Sequence, residues 1–457
     1  MTVQMIDVAA PPSGGFDLQT GTLIIGAGAC GMVAALAAKE VGQNVLIIEA
    51  DAIPAGSTAL SAGLIPAAGT EIQRAAGIED TPDLFASDIQ SKAKNENPAD
   101  LVAEMATQAG PTIDWLVNRY GLPFSLVADF DYPGHSRRRM HGLPTRSGAE
   151  LINALRATCE DEDIDIICER RATELYHDGL MIKGIAVSVP DGTTETIACD
   201  KLILACNGFG GNRDMVAKYM PAIKDGLWFG HDGNRGEAVL WGEKLGAKLH
   251  HLGAYQGHGN VAHPHGILIT WAVITEGGVQ VNDKGERFWS EAQGYSEAAQ
   301  AVLSQPGGQA FAIFDARIAD IARQFEDFKQ AEAVGAIHTA DTLVKLASLL
   351  GLPATTLQKS IYGIPLGQRD EFGRHFGQTP LSPPYYGVRV TGALFHTQGG
   401  LMTDISGRVQ HKSGRFFPNF FAGGGAACGV SGDADTGYLS GNGLLSAVVL
   451  GRNAGRA

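Results

Sequence analysis

The sequence predicts an α/β protein in which a domain built on a parallel β-sheet carries an inserted α+β domain. The chain has 457 residues, more than the roughly 250–300 at which a single hydrophobic core stops growing. Near the N-terminus an apolar run, a glycine-rich turn, an alanine-rich stretch and a second apolar run follow in the order strand, helix, strand. Apolar runs next to glycines recur at residues 201–211 and from residue 392 onward. The sheet domain is therefore predicted to be discontinuous.

The composition is that of a folded protein and disfavours nucleic acid as a partner. Hydrophobic residues make up 44% of the chain and charged residues 18%, enough apolar mass for a large core. Lys and Arg number 35 against 49 Asp and Glu, so the net charge is −14. That is the wrong sign for a generic binder of a phosphate backbone or an anionic membrane.

A cytoplasmic location without a membrane span is expected. Residues 1–16 show neither the basic nor the apolar segment of a secretory signal. Residues 18–38 are uncharged and long enough for a span, but four glycines and the polar Gln19, Thr20 and Thr22 argue against one. The six cysteines form no CxxC pair and mostly lie in apolar stretches, as reduced thiols do.

The first strand-helix-strand unit has the features of a dinucleotide site. In the turn GAGACG, Gly26 permits the bend, Gly28 lets backbone amides approach a pyrophosphate, and Gly31 lets the helix pack closely on the sheet. The N-terminus of the helix adds a positive dipole. Glu49 ends the second strand about 20 residues further on, where an acid accepts hydrogen bonds from ribose hydroxyls. This predicts a Rossmann-like domain; the alternative is an ordinary glycine-rich turn.

The later elements follow from periodicity. Helical spacing of apolar residues predicts a helix from about residue 97, a second helix that begins at Pro111, and a third around residues 151–159. DIDII at residues 163–167 predicts a strand, and two apolar runs on either side of the turn at residues 190–192 predict a hairpin that leads into the strand KLILAC. A final helix is expected at residues 443–454.

These elements give a domain assignment. Residues 1–251 and 390–457 are predicted to form the nucleotide-binding domain. Residues 252–389, richer in Pro, Gln and aromatic residues, are predicted to form an inserted substrate-binding cap domain.

Seven motifs together resemble one family, the flavoproteins that include soluble fumarate reductases and 3-ketosteroid dehydrogenases. They span nearly the whole chain in the order of that family: GAGACGMVAALAA with IIEA, AGSTALSAGLIPAAGT, LILACNGFGGN, GNRGEAVLWGEKLGA, GGVQVNDKGERFWSE, HTQGGLMTD and FFAGGGAACG. The resemblance implies that the nucleotide is FAD rather than NAD, so that the discontinuous domain is an FAD-binding domain.

The resemblance also implies which residues contact FAD. No histidine lies in AGSTALSAG, where the membrane succinate dehydrogenases carry the flavin covalently, so we expect non-covalent FAD. The start of the last helix is expected to place backbone donors against the electron-rich edge of the reduced flavin. The implied contacts are Gly26, Gly28, Ala29, Gly31, Glu49, Ala50, Ser57, Thr58, Ser61, Gly63, Asn207, Gly208, Gly424, Asn442, Gly443, Leu444 and Leu445.

The substrate contacts resemble the 3-ketosteroid dehydrogenases more than the fumarate reductases. Two substrate-binding arginines of the fumarate reductases align with Tyr295 and Tyr438, and tyrosine does not replace the bidentate, charged grip of arginine on a dicarboxylate. His396 does match the substrate-binding histidine of that family. Spacing from Arg287 to Tyr295, and Tyr438 followed by Leu439 and Ser440, resemble the ketosteroid enzymes.

This resemblance implies a dehydrogenase that desaturates the α,β C–C bond of a cyclic ketone. Tyr438 would donate to the carbonyl, Tyr295 would remove the α-proton, Ser440 would relay it, and flavin N5 would accept the β-hydride. A phenolate needs local stabilisation, since an unperturbed tyrosine has a pKa of about 10. His396 or backbone dipoles are the candidates for that stabilisation. For either tyrosine, the alternative is an ordinary interface aromatic.

Substrate, acceptor and activity class stay open in part. The ketone is either a 3-ketosteroid or a monocyclic oxocyclohexane, and the electron acceptor is a quinone, a dye or oxygen. The alternatives are fumarate-reductase-like reduction of an activated alkene, which uses the same site in reverse, and an electron-carrier flavoprotein without its own substrate.

Two polar clusters admit other uses. Arg137, Arg138 and Arg139, flanked by two histidines, either hold a carboxylate of a substrate or acceptor or form a solvated loop. The histidines between residues 250 and 265 lack zinc-type spacing, so no metal is expected.

Overall fold

The computed structural model describes residues 6–128 and 132–457. Backbone contacts divide the chain into two compact units. Unit 1 comprises Met1–Met220, Gly230–Tyr255 and His396–Ala457, and unit 2 comprises Pro221–Phe229 and Gln256–Phe395. The segment Pro221–Phe229 thus belongs with unit 2, although the sequence analysis placed it in the FAD-binding domain.

The described residues alternate between strands and helices. The strands are β1 (Asp7–Ala9), β2 (Leu18–Ile25), β3 (Val45–Ile48), β4 (Ile65–Pro66), β5 (Ser125–Leu126), β6 (Met140–Gly142), β7 (Asp165–Ile167), β8 (Arg171–Asp178), β9 (Met181–Ser188), β10 (Thr194–Leu204), β11 (Leu227–Trp228), β12 (Leu249–His250), β13 (Tyr255–Ala262), β14 (Ile267–Leu268), β15 (Val279–Val281), β16 (Gln309–Asp315), β17 (Ile337–Ala340), β18 (Tyr385–Thr397), β19 (Gly400–Leu401), β20 (Arg408–Gln410) and β21 (Phe416–Ala422). The helices are α1 (Ala29–Glu40), α2 (Gly56–Ala59), α3 (Glu71–Ala75), α4 (Pro82–Lys92), α5 (Ala99–Tyr120), α6 (Gly148–Asp161), α7 (Arg213–Tyr219), α8 (Glu237–Leu245), α9 (Ala272–Thr275), α10 (Tyr295–Leu303), α11 (Ala316–Ala322), α12 (Glu326–Ala333), α13 (Leu343–Leu350), α14 (Ala354–Tyr362) and α15 (Asn442–Arg456).

Unit 1 is built on the predicted parallel sheet. Its strand order is β1-β8-β9-β10-β2-β3-β7, with β21 also paired to β10. The pairs β2–β3, β3–β7, β10–β2 and β10–β21 are parallel, and β8, β9 and β10 are antiparallel. The α/β fold class is therefore confirmed, and the predicted hairpin forms between β9 and β10. Lys201–Leu204 of KLILAC are the last residues of β10 rather than a separate strand.

Helix α1 is buried from Ala29 to Ala38 and packs closely on α15. Small residues at the crossing allow this approach: a Cβ added to Gly451 would lie 2.6 Å from the backbone oxygen of Cys30. The crossing places the N-terminal half of α1 in the core of unit 1.

One predicted helix boundary is wrong. Pro111 lies inside α5 and does not begin a new helix. Proline removes one backbone hydrogen bond and costs roughly 3 kcal/mol or more in a helix interior. The apolar face continues across it, however, because Met105, Ile113 and Leu116 are all fully buried. Burying three such side chains is worth roughly 1.5–3 kcal/mol each, which outweighs the cost of the proline.

Unit 2 has the α+β character that the sequence predicted for the insertion. Its sheet runs β14-β13-β18-β16-β15, with β11 and β17 also paired to β18. The pairs β13–β14, β15–β16, β16–β18 and β17–β18 are antiparallel. Helices α9 to α14 follow or interrupt these strands and bury residues such as Phe328, Leu346 and Leu357. In the part of the chain that the structure describes, no helix of either unit is long and apolar enough to cross a membrane.

Candidate active site

Four parallel strands of unit 1 end at the same edge of its sheet, and candidate residues follow each of them. Gly26 comes directly after β2, Glu49 after β3, Asn207 shortly after β10, and Gly424 shortly after β21. In open α/β sheets, ligands bind outside the carboxyl ends of the strands. The structure therefore gathers residues from the beginning, middle and end of the chain at one candidate nucleotide site.

The three glycines of the turn have different surroundings. Gly26 and Gly31 lie against the protein's own backbone, whereas Gly28 faces open space in which a pyrophosphate would fit. Gly26 has φ +106°, and a Cβ there would lie 2.5 Å from Ala205 O. A Cβ on Gly31 would overlap Gly26 O. A Cβ on Gly28, by contrast, would meet only Thr58 Oγ1, at 3.6 Å. Gly28 is the N-cap of α1 and so presents open space beside the positive end of that helix.

Glu49 is held at this turn by two backbone amides. Its Oε2 accepts from Ala27 N at 2.7 Å and its Oε1 accepts from Asp51 N at 3.0 Å. The carboxylate is half-buried, as is the neighbouring Ala50. A carboxylate can accept about four hydrogen bonds, so two sites remain for ribose hydroxyls.

The segment AGSTALSAG packs against α1 and the residues after β10. Thr58 Oγ1 accepts from Ala29 N at 3.2 Å, and Ser57 Oγ accepts from Asn207 Nδ2 at 2.8 Å and from Asn234 Nδ2 at 2.9 Å. Asn234 was missed as a site residue, although it lies in the quoted motif GNRGE. Its adjacency to Ser57 is visible only in the folded chain.

Two other candidates of this segment have internal roles. Ser61 Oγ donates to Thr58 O at 2.7 Å and accepts from Gly63 N at 3.0 Å. Gly63 has φ +64°, and a Cβ there would lie 2.7 Å from the backbone oxygen of Ser147. Both residues therefore shape the loop around Ser57 and Thr58.

The loops after β10 and β21 approach each other without room for side chains. A Cβ on Gly208 would overlap Thr397 Oγ1, and one on Gly425 would overlap Asn207 Oδ1. Gly424 has φ +56°, which favours glycine at that position. These contacts bring Asn207, Gly208 and Gly424 together with the end of β18.

The last helix begins with polar groups that suit a bound cofactor. Gly441 is its N-cap with φ +87°. Asn442 is fully buried, Gly443 and Leu444 are half-buried, and Leu445 is buried and donates its amide to Gly441 O. Among the described residues, Asn442 Oδ1 has no hydrogen-bond partner. An unpaired buried acceptor beside a helix N-terminus fits a group that brings its own donors, as an isoalloxazine does.

His396 and Tyr438 lie together in unit 1. Their ring centroids are 5.5 Å apart at an interplanar angle of 73°. Desolvation lowers the pKa of His396 to about 4, so the imidazole is neutral at pH 7. Tyr438 is buried, and the backbone oxygen of Ser440 hydrogen-bonds His135 Nε2 at 3.0 Å. His135, which flanks the arginine cluster in sequence, thus meets the Tyr438-Leu439-Ser440 segment.

Tyr295 lies in unit 2, as the first residue of α10. The ring of His258 stacks on it with centroids 4.9 Å apart and an interplanar angle of 19°. Burial lowers the pKa of His258 to about 3, so this imidazole is also neutral. Its Nδ1 accepts from Asn260 N at 3.1 Å. His258 was considered only as a possible metal ligand, and its partnership with Tyr295 needs the fold of β13.

The motif that precedes Tyr295 forms a buried ionic network. Arg287 pairs with Glu291 at 2.6 Å and with Asp370 at 2.5 Å, and Arg374 pairs with Glu291 at 3.1 Å. Glu291 also accepts from Gln280 N at 3.0 Å. These contacts fix the chain just before α10, so Arg287 and Glu291 hold the backbone that carries Tyr295.

The arginine cluster divides into residues with different roles. Arg139 is fully buried and pairs with Asp80 at 2.9 Å and with Asp88 at 2.6 Å. Arg137 is exposed and donates to the backbone oxygens of Glu79 and Ser136. Removing one partner of a buried pair such as Arg139 typically costs about 3–5 kcal/mol, so this arginine serves the fold.

The structure brings together three side chains of metal-binding type, although the spacing of the histidines in the sequence did not indicate such a group. The ligand atoms of His250, His251 and Cys428 lie within 4.8 Å of one another, because β12 and the loop after β21 approach each other. Burial raises the pKa of the Cys428 thiol to about 12. The three side chains therefore form a compact group whose thiol stays protonated near neutral pH.

Comparison with known proteins identifies the family. A model of the FAD binding domain matches residues 21–444. The chain belongs to the FAD binding domain family. Members of this family bind FAD, and this member is an FAD-dependent oxidoreductase.

Its relatives include proteins named as fumarate reductases and as ketosteroid dehydrogenases. A probable fumarate reductase of Shewanella frigidimarina is 31% identical over 98% of this chain and 75% of its own length. A 3-oxosteroid 1-dehydrogenase of Mycobacterium tuberculosis is 25% identical over 94% of both chains. The open form of a flavocytochrome c3 fumarate reductase superposes with a TM-score of 0.82 at 29% identity, over 97% of this chain and 78% of that one. The structure of a 3-ketosteroid-Δ4-(5α)-dehydrogenase from Rhodococcus jostii, at 23% identity and a TM-score of 0.78, shares the fold over 99% of both chains.

Proposed function

We propose that this FAD-dependent oxidoreductase desaturates the α,β C–C bond of a cyclic ketone. One observation supports this most: each tyrosine that replaces a substrate-binding arginine packs against a histidine that is neutral. Tyr438 contacts His396 and Tyr295 contacts His258. Uncharged surroundings suit a ketone, whereas a dicarboxylate is bound best by cationic, bidentate partners.

Three arginines with little exposed side chain are already neutralised by the protein. Arg139, Arg287 and Arg374 all form ion pairs with carboxylates of the protein. Releasing one of them for a substrate would leave a buried carboxylate unpaired, which is costly. This supports a neutral ketone over a substrate with two carboxylates.

In this proposal Tyr438 donates its hydroxyl to the ketone oxygen. The donation draws electron density from the α-carbon and acidifies its proton. The ring of Tyr438 packs against His396 and is little exposed, which supports a defined position for this side chain. Ser440, two residues further on and also buried, is proposed to relay the proton.

Tyr295 is proposed as the base for the α-proton. Its place at the first position of α10 supports this, because the positive end of a helix stabilises a phenolate. The α-proton passes to the Tyr295 oxygen, and the C–H electron pair becomes part of the new C=C bond. FAD, when bound, accepts the β-hydrogen as hydride at N5.

We further propose that FAD is bound non-covalently, at the contacts given above from Gly26 to Leu445. The segment that carries a covalent link in the succinate dehydrogenases contains serine and threonine here, and the structure commits Ser57, Thr58 and Ser61 to hydrogen bonds within the protein. The six thiols are free and all at least half-buried, which fits the proposed reducing cytoplasm.

A second candidate function is reduction of an activated alkene. The 31% identity to a probable fumarate reductase favours it. The same residues would then act in reverse, with Tyr295 protonating the α-carbon. A carrier flavoprotein without its own substrate is a third possibility, which unit 2, with its own core, does not support.

Anaerobic mixing of the FAD-loaded protein with substrates separates these functions. The panel contains 3-ketosteroids, cyclohexanones with and without a carboxylate, and succinate, with flavin absorbance as the readout. We expect a saturated cyclic ketone to bleach the flavin and a dye to restore it. Bleaching by succinate but by no ketone would overturn the proposal in favour of fumarate-type chemistry. If no substrate reacts while dithionite reduces the flavin, the carrier function is favoured instead.

A further inference from the structure

A chain of buried hydrogen bonds leads from the start of α15 to His396. Asn442 Nδ2 donates to Ser431 Oγ at 3.1 Å, and Ser431 Oγ donates to Gln398 Oε1 at 2.8 Å. Gln398 Nε2 lies 2.8 Å from His396 Nδ1. Asn442, Ser431 and Gln398 are 0%, 1% and 4% exposed, so water does not compete for these bonds.

Backbone carbonyls fix the direction of this chain. A carbonyl oxygen can only accept, so it must face the NH₂ end of a side-chain amide. Val430 O accepts from Asn442 Nδ2 at 3.2 Å, and Thr397 O lies 3.4 Å from Gln398 Nε2. Both amides are thereby oriented with their nitrogens along the chain toward His396.

It follows that His396 Nδ1 accepts a hydrogen bond from Gln398 Nε2 and carries no proton itself. Thr397 O also lies 3.4 Å from Nδ1, but the bond from Gln398 is much shorter. In a neutral imidazole the proton then sits on Nε2. Nε2 is beside the first turn of α15, where a Cβ on Gly443 would lie 3.0 Å away. The positive end of a helix disfavours an imidazolium there.

We infer that Gln398 is a positioning residue that holds His396 as an uncharged Nε2–H donor for the oxygen of a neutral carbonyl compound. The inference rests on the proposed function for its substrate, while the tautomer itself is independent of any substrate. Ser431 and Asn442 act one and two steps behind Gln398 by fixing its orientation. Asn442 was predicted from the sequence only as a cofactor contact, and Gln398 and Ser431 were not predicted as site residues.

The tautomer can be measured directly in the FAD-loaded protein. Histidine is labelled with ¹⁵N, long-range ¹H–¹⁵N spectra are recorded between pH 5 and 8, and His396→Asn identifies the signals. We expect an unprotonated Nδ1 and a protonated Nε2 throughout this range. Gln398→Glu places an acceptor at Nδ1, so the proton should move to Nδ1 and the pKa of His396 should rise.

Gln410→Glu, the same change on β20, is the control and should leave the His396 signals unchanged. A protonated Nδ1 in the wild-type protein would overturn the inference. So would His396 signals that are identical in the wild type, Gln398→Glu and Gln398→Met.

Kinetics give a second readout. The direction in which kcat changes with pH distinguishes the loss of positioning from a loss of structure. With a ketone that the wild type oxidises, Gln398→Glu should lose about tenfold or more in kcat at high pH, where Nε2 has no proton. Activity should recover as the pH falls through the raised pKa of His396, because protonation restores the Nε2–H donor. Gln398→Met should be slower without that recovery.

Wild-type rates and pH profiles in both variants would contradict the inference. If the spectra show the expected tautomers but no ketone reacts with any form, the positioning role stands and the proposed function fails.

Discussion

In the glycine turn after β2, we expect substitution of Gly28 and of Gly31 by alanine to have different effects. Gly28→Ala should leave the FAD-free protein folded and weaken FAD binding. Gly31→Ala should destabilise the fold itself. The difference follows from what a Cβ meets: only Thr58 Oγ1 at 3.6 Å for Gly28, and an overlap with Gly26 O for Gly31.

The magnitudes follow from the same geometry. At the N-cap position, Ala is less favourable than Gly by roughly 0.5–1 kcal/mol, and the lower entropy of the unfolded chain offsets about 0.4–1 kcal/mol of that. The stability of the FAD-free protein should therefore change by less than about 1 kcal/mol for Gly28→Ala. Overlap with a backbone atom, which cannot swing aside, should cost about 3 kcal/mol for Gly31→Ala, the upper end for overpacking.

Two assays separate the effects. Denaturant unfolding of the FAD-free protein gives stability, and titration of that protein with FAD gives affinity. For Gly28→Ala we expect affinity to fall about a hundredfold, or about 2.7 kcal/mol, because the backbone no longer approaches the pyrophosphate. Unchanged FAD affinity in a folded Gly28→Ala protein would refute the assignment of this turn. A fully stable Gly31→Ala protein would refute the packing argument.

Three further predictions concern FAD, the tyrosines and pH. Glu49→Ala should lower FAD affinity roughly tenfold to a hundredfold in titration, since charged hydrogen bonds are worth about 1.5–3 kcal/mol; equal affinity would remove Glu49 from the site. Tyr295→Phe and Tyr438→Phe should each slow flavin reduction by the ketone about a hundredfold or more and leave reduction by dithionite unchanged; wild-type rates in both would reject the tyrosine mechanism. The free energy of unfolding should fall as the pH drops from about 6.5 to about 4, because the unfolded chain takes up protons in this range that buried imidazoles of the folded chain do not. Among these imidazoles, His141 and His396 have pKa values of about 4 and His258 has a pKa of about 3. Denaturant unfolding across this range checks it, and a flat profile would contradict it.

The prediction of the nucleotide site rests on local signals in the sequence. The turn around Gly26, Gly28 and Gly31 depends on residues that are close in the sequence, and so does the length from the turn to Glu49. A glycine is required where a Cβ would overlap a neighbouring backbone atom. The structure shows such overlaps for a Cβ at Gly26 and at Gly31.

Features that depend on distant residues were not predictable. The proposed role of Gln398 depends on hydrogen bonds that link it to Ser431 and Asn442. The local sequence does not indicate these hydrogen bonds. Arg139 lay in a run of three arginines, but only the fold shows that Asp80 and Asp88 neutralise it. The Pro111 error has the same origin, because the buried face that sustains α5 across the proline is a property of its neighbours.

The pairing of β10 also constrains the order in which the sheet can be completed. This strand, from the middle of the chain, lies between β2 near the beginning and β21 near the end, and it pairs in parallel with both. During synthesis both β2 and β10 are made well before β21. The edge of β10 that pairs with β21 therefore has no such partner until late in synthesis. An unpaired strand edge is a template for wrong partners, and such long-range pairing is slow to form. Until β21 has been synthesised, the last residues of β10 therefore keep an unpaired edge that can meet wrong partners.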